Sequence, residues 1–145
     1  MTNPHFLSFD TWSEVEEHLG YAPLGRRLAA EPRSFRVHVR DHRLREVEPT
    51  LEVHFDGFVL SQALRGHHEA RRLATEVRYG PMGKEISVGG HRAIRFELGP
   101  EPEPDDPDQR APAVVTWADG EMFILMASDE IEVERLVELA DSLYR

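Results

Sequence analysis

Eight histidines and no cysteine set the chemistry open to this 145-residue chain. Without thiols there is no disulfide framework, no thiol nucleophile and no cysteine-ligated zinc, so imidazoles and carboxylates must carry any metal site. His38-Val-Arg-Asp-His42 has the i, i+4 spacing of a helical zinc pair. However, Phe35, Val37 and Val39 alternate with Arg36, His38 and Arg40, which marks a strand. On an extended strand the two histidines would stand roughly 13 Å apart, too far for one ion. Cross-strand geometry serves better. His38 and His54 sit on the polar faces of strands that can pair antiparallel, with Glu52 and Asp56 near, and a three-ligand open metal site can form there. The competing reading is a pair of solvent-facing histidines on a sheet. His67-His68-Glu69 reads as a surface cluster in a loop.

Other catalytic patterns find little support. None of Ser8, Ser13, Ser34, Ser61, Ser87, Ser128 and Ser142 stands in a nucleophile-elbow context such as G-x-S-x-G. Gly80-Pro-Met-Gly-Lys84 sets a lysine after a glycine, but it lacks the Walker spacing and opens no helix. Paired carboxylates abound in loops and on helix faces, where solvation accounts for them. No cofactor is implied.

These side chains must be positioned by strands and helices, and the last third of the chain gives the clearest pattern. Asp119-Gly120 is a strong hairpin signal, because a type I′ turn needs positive φ at both central residues. A two-residue loop there pairs Trp117 with Met122, Val115 with Ile124 and Ala113 with Met126. Both faces of these strands are apolar, which predicts central strands covered on both sides. Ser128 suits a helix N-cap, followed by Asp129 and Glu130 at the positive end of the helix dipole. Val133, Leu136, Val137, Ala140, Leu143 and Tyr144 then recur at three- and four-residue steps as one apolar stripe, backed by an acidic face.

Upstream, Asp10 caps a short helix with Trp12, Val15 and Leu19 on one face, and Gly20 ends it. Residues 21–34 read as a connector. Leu51, Val53 and Phe55 alternate with polar residues up to Asp56-Gly57, whose two-residue loop pairs Phe55 with Phe58 and Val53 with Leu60. Residues 61–74 are ambiguous between helix and loop. Val77 and Tyr79 make a short strand, and Ile86 and Val88 continue the sheet. At Gly89-Gly90 a two-residue loop would set Ile94 opposite Glu85. A three-residue loop, Gly89-Gly90-His91, sets Ile86 opposite Ile94, and this longer loop or a bulge is expected. Ile94, Phe96 and Leu98 supply the apolar face of the outgoing strand. Residues 99–112 are proline-rich and acidic, and read as a solvated loop joining two strands.

The net charge is −10, unevenly spread: 14 basic and 9 acidic residues lie between Arg26 and Arg95, and 3 basic against 18 acidic lie outside that span. An acidic chain is a poor nucleic-acid binder, because affinity there rests on neutralising phosphates. No window approaches the roughly 18 apolar residues of a membrane span. The start lacks a secretory signal, so a cytoplasmic protein is expected, unless the chain is a domain excised from a membrane-anchored protein.

Five segments carry a family resemblance: Glu17-His-Leu-Gly-Tyr21, Phe58-Val-Leu-Ser-Gln62, Val88-Gly-Gly-His91, Thr116-Trp-Ala-Asp-Gly120 and Leu139-Ala-Asp-Ser-Leu143. In these the chain resembles a domain-of-unknown-function family attached to bacterial anti-sigma-factor-like membrane proteins and lipoproteins. The resemblance implies a domain tethered outside the membrane and assigns no catalytic residues.

Taken together, the patterns predict one α+β domain over residues 1–145. A single curved antiparallel sheet of about seven or eight strands carries an N-terminal and a C-terminal helix packed on it. The leading functional expectation is a non-enzymatic binding or regulatory interaction module with a protein or small-molecule partner, homo-oligomerisation staying open. The alternatives are a metal- or small-ligand-binding protein using the face that bears His38 and His54, and a small enzyme with a pocket between sheet and helices.

Overall fold

Strands Glu46–His54 (β3) and Val59–Leu64 (β4) form the hairpin expected at Asp56-Gly57. Val53 stands opposite Leu60, and the Phe55 N–H donates to the Phe58 carbonyl at 2.9 Å. Gly57 takes φ +87, a left-handed conformation that a side chain would resist. The computed structural model describes residues 6–40, 46–64, 83–97, 113–120 and 122–145.

The remaining strands are Phe6–Phe9 (β1), Ser34–Arg40 (β2), Gly83–Val88 (β5), His91–Glu97 (β6), Ala113–Asp119 (β7) and Met122–Ser128 (β8). All eight pair antiparallel in one open sheet of order β1-β2-β3-β4-β8-β7-β6-β5. Two α-helices, Trp12–Leu19 (α1) and Val133–Ser142 (α2), complete an α+β fold among the described residues. None of these helices is long and apolar enough to cross a membrane.

Alternation along the strands decides which face the helices cover. Phe35 and Val37 of β2, Leu51 and Val53 of β3, Leu60 of β4, Ile124 and Met126 of β8, and Val115 and Trp117 of β7 share one face and are all buried. Each fully buried side chain of this size contributes roughly 1.5–3 kcal/mol by leaving water. Helix α2 lays Val133, Leu136 and Ala140 on the β5–β8 half. Over the other half sit α1, with Trp12 edge-on to Phe35 at 4.8 Å, and a single 3-10 turn at Leu24–Arg27. That turn is more than a connector: Leu24 and Leu28 are buried, and the Gly25 N–H donates to the Gln62 side-chain oxygen at 3.1 Å. Gln62 lies in the middle of the core face, so this bond satisfies a polar group that burial would otherwise penalise. The second face of the central strands is covered as well, since Val114, Phe123 and Phe96 are buried there. The two-sided apolar pattern of β7 and β8 thus has its structural counterpart.

Four local expectations need correction. The α1 cap is Thr11, not Asp10; its extended backbone lets Oγ1 accept the Glu14 N–H at 3.2 Å. Helix α2 begins at Val133, not at Asp129. Ser128 instead closes the turn before it, accepting the Glu130 and Ile131 N–H groups at 3.0 and 2.8 Å while donating to the Gly57 carbonyl at 2.5 Å. The β7–β8 register is displaced by two residues, with Asp119 opposite Met122, Trp117 opposite Ile124 and Val115 opposite Met126. A slip of two keeps every side chain on its face. It leaves Asp119 in the strand and hands the positive φ to Gly120, at +61°.

The fourth correction is the β5–β6 turn. It has two residues, Gly89 and Gly90 with φ +55 and +84, so Val88 faces His91, Ile86 faces Ala93 and Glu85 faces Ile94. Two successive positive φ values favour the short primed turn. The juxtaposition of Glu85 and Ile94 costs little, because Glu85 turns outward to Arg92 at 2.9 Å. In consequence Ala93 occupies the helix-covered face, while Ile94 and Phe96 lie on the other. The ambiguous stretch beyond Leu64, the strand expected at Val77 and Tyr79, Leu98 and the 99–112 loop fall outside the described residues.

Candidate functional site

Two polar constellations stand out, one on each face of the sheet. The first is the anticipated histidine pair. β2 and β3 align His38 with Thr50 and Ser34 with His54, which puts His38, Glu52 and His54 on the face away from the helices. Glu52 lies between the histidines. His38 Nε2 meets its Oε2 at 2.9 Å and His54 Nε2 meets its Oε1 at 2.5 Å. All three side chains are a quarter to a third exposed. Burial pushes the Glu52 carboxyl up, but the hydrogen bonds from His54 and His38 outweigh it and hold the group below the usual range. Asp56 takes no part; it meets Arg33 at 3.2 Å and is 85% exposed.

The structure therefore brings His38 and His54 together through Glu52, each imidazole engaging its own carboxylate oxygen. Ligand atoms around a tetrahedral zinc stand about 3.3 Å from one another, given bonds of about 2.0–2.2 Å. The 2.5 Å contact is shorter than that. No group of three or more histidine, aspartate or glutamate side chains among the described residues is arranged to hold a metal ion. His42, His67, His68 and Glu69 lie outside those residues.

The second constellation lies on the helix-covered face at the end of the β7–β8 hairpin. Strand alternation carries Trp117 and Asp119 to the same side, and the last turn after α2 delivers Tyr144 above them. Trp117 Nε1 donates to the Tyr144 hydroxyl at 2.7 Å, and that hydroxyl donates to Asp119 Oδ2 at 2.9 Å. His91, the first residue of β6, approaches the same oxygen at 3.6 Å and packs its ring 5.1 Å from that of Tyr144. Burial is the main force raising the Tyr144 phenol to about 12; Asp119 adds to the rise, while the Trp117 N–H and the Arg27 charge oppose it. Tyr144 is thus a hydrogen-bond donor at neutral pH and holds Asp119 in one orientation.

Asp119 forms part of the wall of a cleft of about 400 Å³, open to solvent, between the hairpin end and the Leu24–Arg27 turn. Its other charged groups are Glu16, Arg26 and Arg27, and its apolar lining comes from Ala22, Pro23, Leu24 and Met122. Glu16 and Arg26 pair with each other at 2.7 Å. The mixture of apolar walls and a few oriented polar groups is the usual make-up of a small-molecule seat.

Sequence reasoning gathered the histidine pair and missed this cleft. The signal was present in part: Trp117 and Asp119 at i, i+2 in W-x-D-G must share a face, and Tyr144 ends the apolar stripe of the closing helix. What no local pattern gives is the return of residues 22–27 over that same corner.

No protein-family model, no curated protein and no solved structure matches this chain.

Proposed function

We propose that this protein is a non-enzymatic binding module whose ligand seat is the cleft between the Leu24–Arg27 turn and the end of the β7–β8 hairpin. The observation that carries the reading is the fixed carboxylate at its wall. Asp119 is held by Tyr144, itself held by Trp117, so a ligand meets a pre-oriented polar group, which lowers the ordering cost of binding. Tyr144 keeps its proton at neutral pH, so it serves this site as a hydrogen-bond donor to Asp119. The resemblance to a domain-of-unknown-function family attached to bacterial anti-sigma-factor-like membrane proteins and lipoproteins contributes no site residue.

The test is a fragment screen read by amide NMR shifts on the full chain. Shifts clustered on Leu24–Arg27, Asp119 and Met122, lost in Asp119→Ala, support the proposal. Turnover of a bound fragment would replace it with the enzyme reading, and shifts confined to β2 and β3 would move the seat to the histidine face.

A second reading has its own observation. His38 and His54 converge on one carboxylate, and a metal ion could take the place of the hydrogen bonds if Glu52 drew back from His54. It ranks second because the present contacts already satisfy all three groups.

A further inference from the structure

We infer that the cleft selects a small zwitterion, a molecule that carries a cationic and an anionic group joined by a short apolar spacer. The inference rests on the binding role proposed for the cleft and adds the chemical class of its ligand.

The four charged groups of the wall are two carboxylates and two guanidiniums, so the lining is formally neutral. They are not equally free. Glu16 and Arg26 neutralise each other at 2.7 Å. Asp119 uses Oδ2 for Tyr144 and His91, while its Oδ1 has no hydrogen bond among the described residues. Arg27 is exposed and forms no ion pair among those residues. Among the described residues the cleft therefore offers one open anionic pole and one open cationic pole. The poles belong to one corner of the molecule, because Arg27 and Asp119 line the same cleft.

This arrangement discriminates. A lone carboxylate drawn to Arg27 faces Asp119, and a lone ammonium drawn to Asp119 faces Arg27. A ligand with both charges satisfies both poles, and its spacer meets Pro23, Leu24 and Met122. Selection by opposed charges is largely rejection of the wrong ligand, since like charges in one site repel. The cleft volume accommodates a molecule the size of an amino acid with room for water.

The experiment titrates the full chain with glycine, β-alanine, 4-aminobutanoate and 6-aminohexanoate, which separate the two charges by increasing lengths. Butanoate and butylamine serve as single-charge controls, and amide NMR shifts report binding. We expect one zwitterion to bind at least about tenfold more tightly than either control, a difference of about 1.4 kcal/mol. The advantage should vanish in Arg27→Gln, an exposed substitution that leaves the core untouched. It should vanish also in Asp119→Asn, which keeps an acceptor for Tyr144. Butanoate binding as tightly as 4-aminobutanoate would overturn the inference in favour of an anion seat, while the binding reading survived. Absence of cleft shifts with all six probes would overturn the inference too. If the wider fragment screen also left the cleft silent, the binding reading would fall with it.

Discussion

Tyr144 and Asp119 lie 25 residues apart in sequence and 2.9 Å apart in space, and their hydrogen bond ties the end of the chain to the tip of the β7–β8 hairpin. The same hydroxyl accepts from Trp117, so one atom serves two partners. Tyr144→Phe keeps the ring and deletes that atom. It should destabilise the fold by about 1–3 kcal/mol, because Trp117 Nε1 is left partly buried with no acceptor. Urea denaturation measures this directly; a midpoint unchanged within error would mean that water replaces the hydroxyl at no cost.

The β5–β6 turn offers an internally controlled pair. An added Cβ at Gly89 would fall 2.2 Å from Tyr144 Cγ, whereas one at Gly90 meets nothing within 4 Å, and both residues have positive φ. Gly90→Ala should cost only the left-handed backbone penalty, about 1–2 kcal/mol. Gly89→Ala should cost more, because Tyr144 must also move. Equal losses in thermal melts of the two variants would mean that the Tyr144 ring shifts freely.

Glu52 gives a pH dependence whose sign is fixed. Its folded pKa is depressed below 4.5 by the two histidines, so the folded state holds the carboxylate more readily than the unfolded chain does. That contribution is complete above the unfolded value and is lost as pH falls through the folded one. Glu52→Gln should therefore flatten the stability profile below about pH 5, a range set by the ordinary carboxylate pKa. Denaturation midpoints across pH 3 to 6 check this, and parallel profiles for the two proteins would contradict it.

Zinc should leave the melting temperature unchanged, since both imidazoles already engage Glu52. A true site would add roughly 2.7 kcal/mol at a hundredfold excess over its dissociation constant. A saturable rise that disappears in His38→Ala and His54→Ala would promote the metal reading above the cleft.

Much of this architecture is legible in the chain, for physical reasons that differ by element. Asp56-Gly57 fixes its hairpin to the residue because turn chemistry and the alternation of Val53 and Leu60 agree. Asp119-Gly120 misleads by two residues because face alternation is blind to a slip of two. At Gly89-Gly90 the apolar–charged pairing of Glu85 with Ile94 and the turn preference point to different loop lengths. The folded protein follows the turn, because the exposed Glu85 finds Arg92. That His38 and His54 share a face follows from strand alternation, while their meeting at Glu52 needs the β2–β3 register as well. The cleft does not, because its walls come from a 3-10 turn, a hairpin tip and α1, which only the tertiary fold brings together.

The strand order has a kinetic consequence. β1–β4 and β5–β8 are each built from neighbours in sequence, and among the described residues the two runs join where Val59–Leu64 pairs with Met122–Ala127. That join demands the largest loop closure in the sheet, and closure entropy is lost before distant contacts repay it. The β4–β8 seam is then the nucleation barrier. Leu60→Ala and Met126→Ala should slow refolding, while Val88→Ala in the β5–β6 hairpin should chiefly speed unfolding. Chevron plots of the three variants would show whether the chain zips from its hairpins or condenses at the seam.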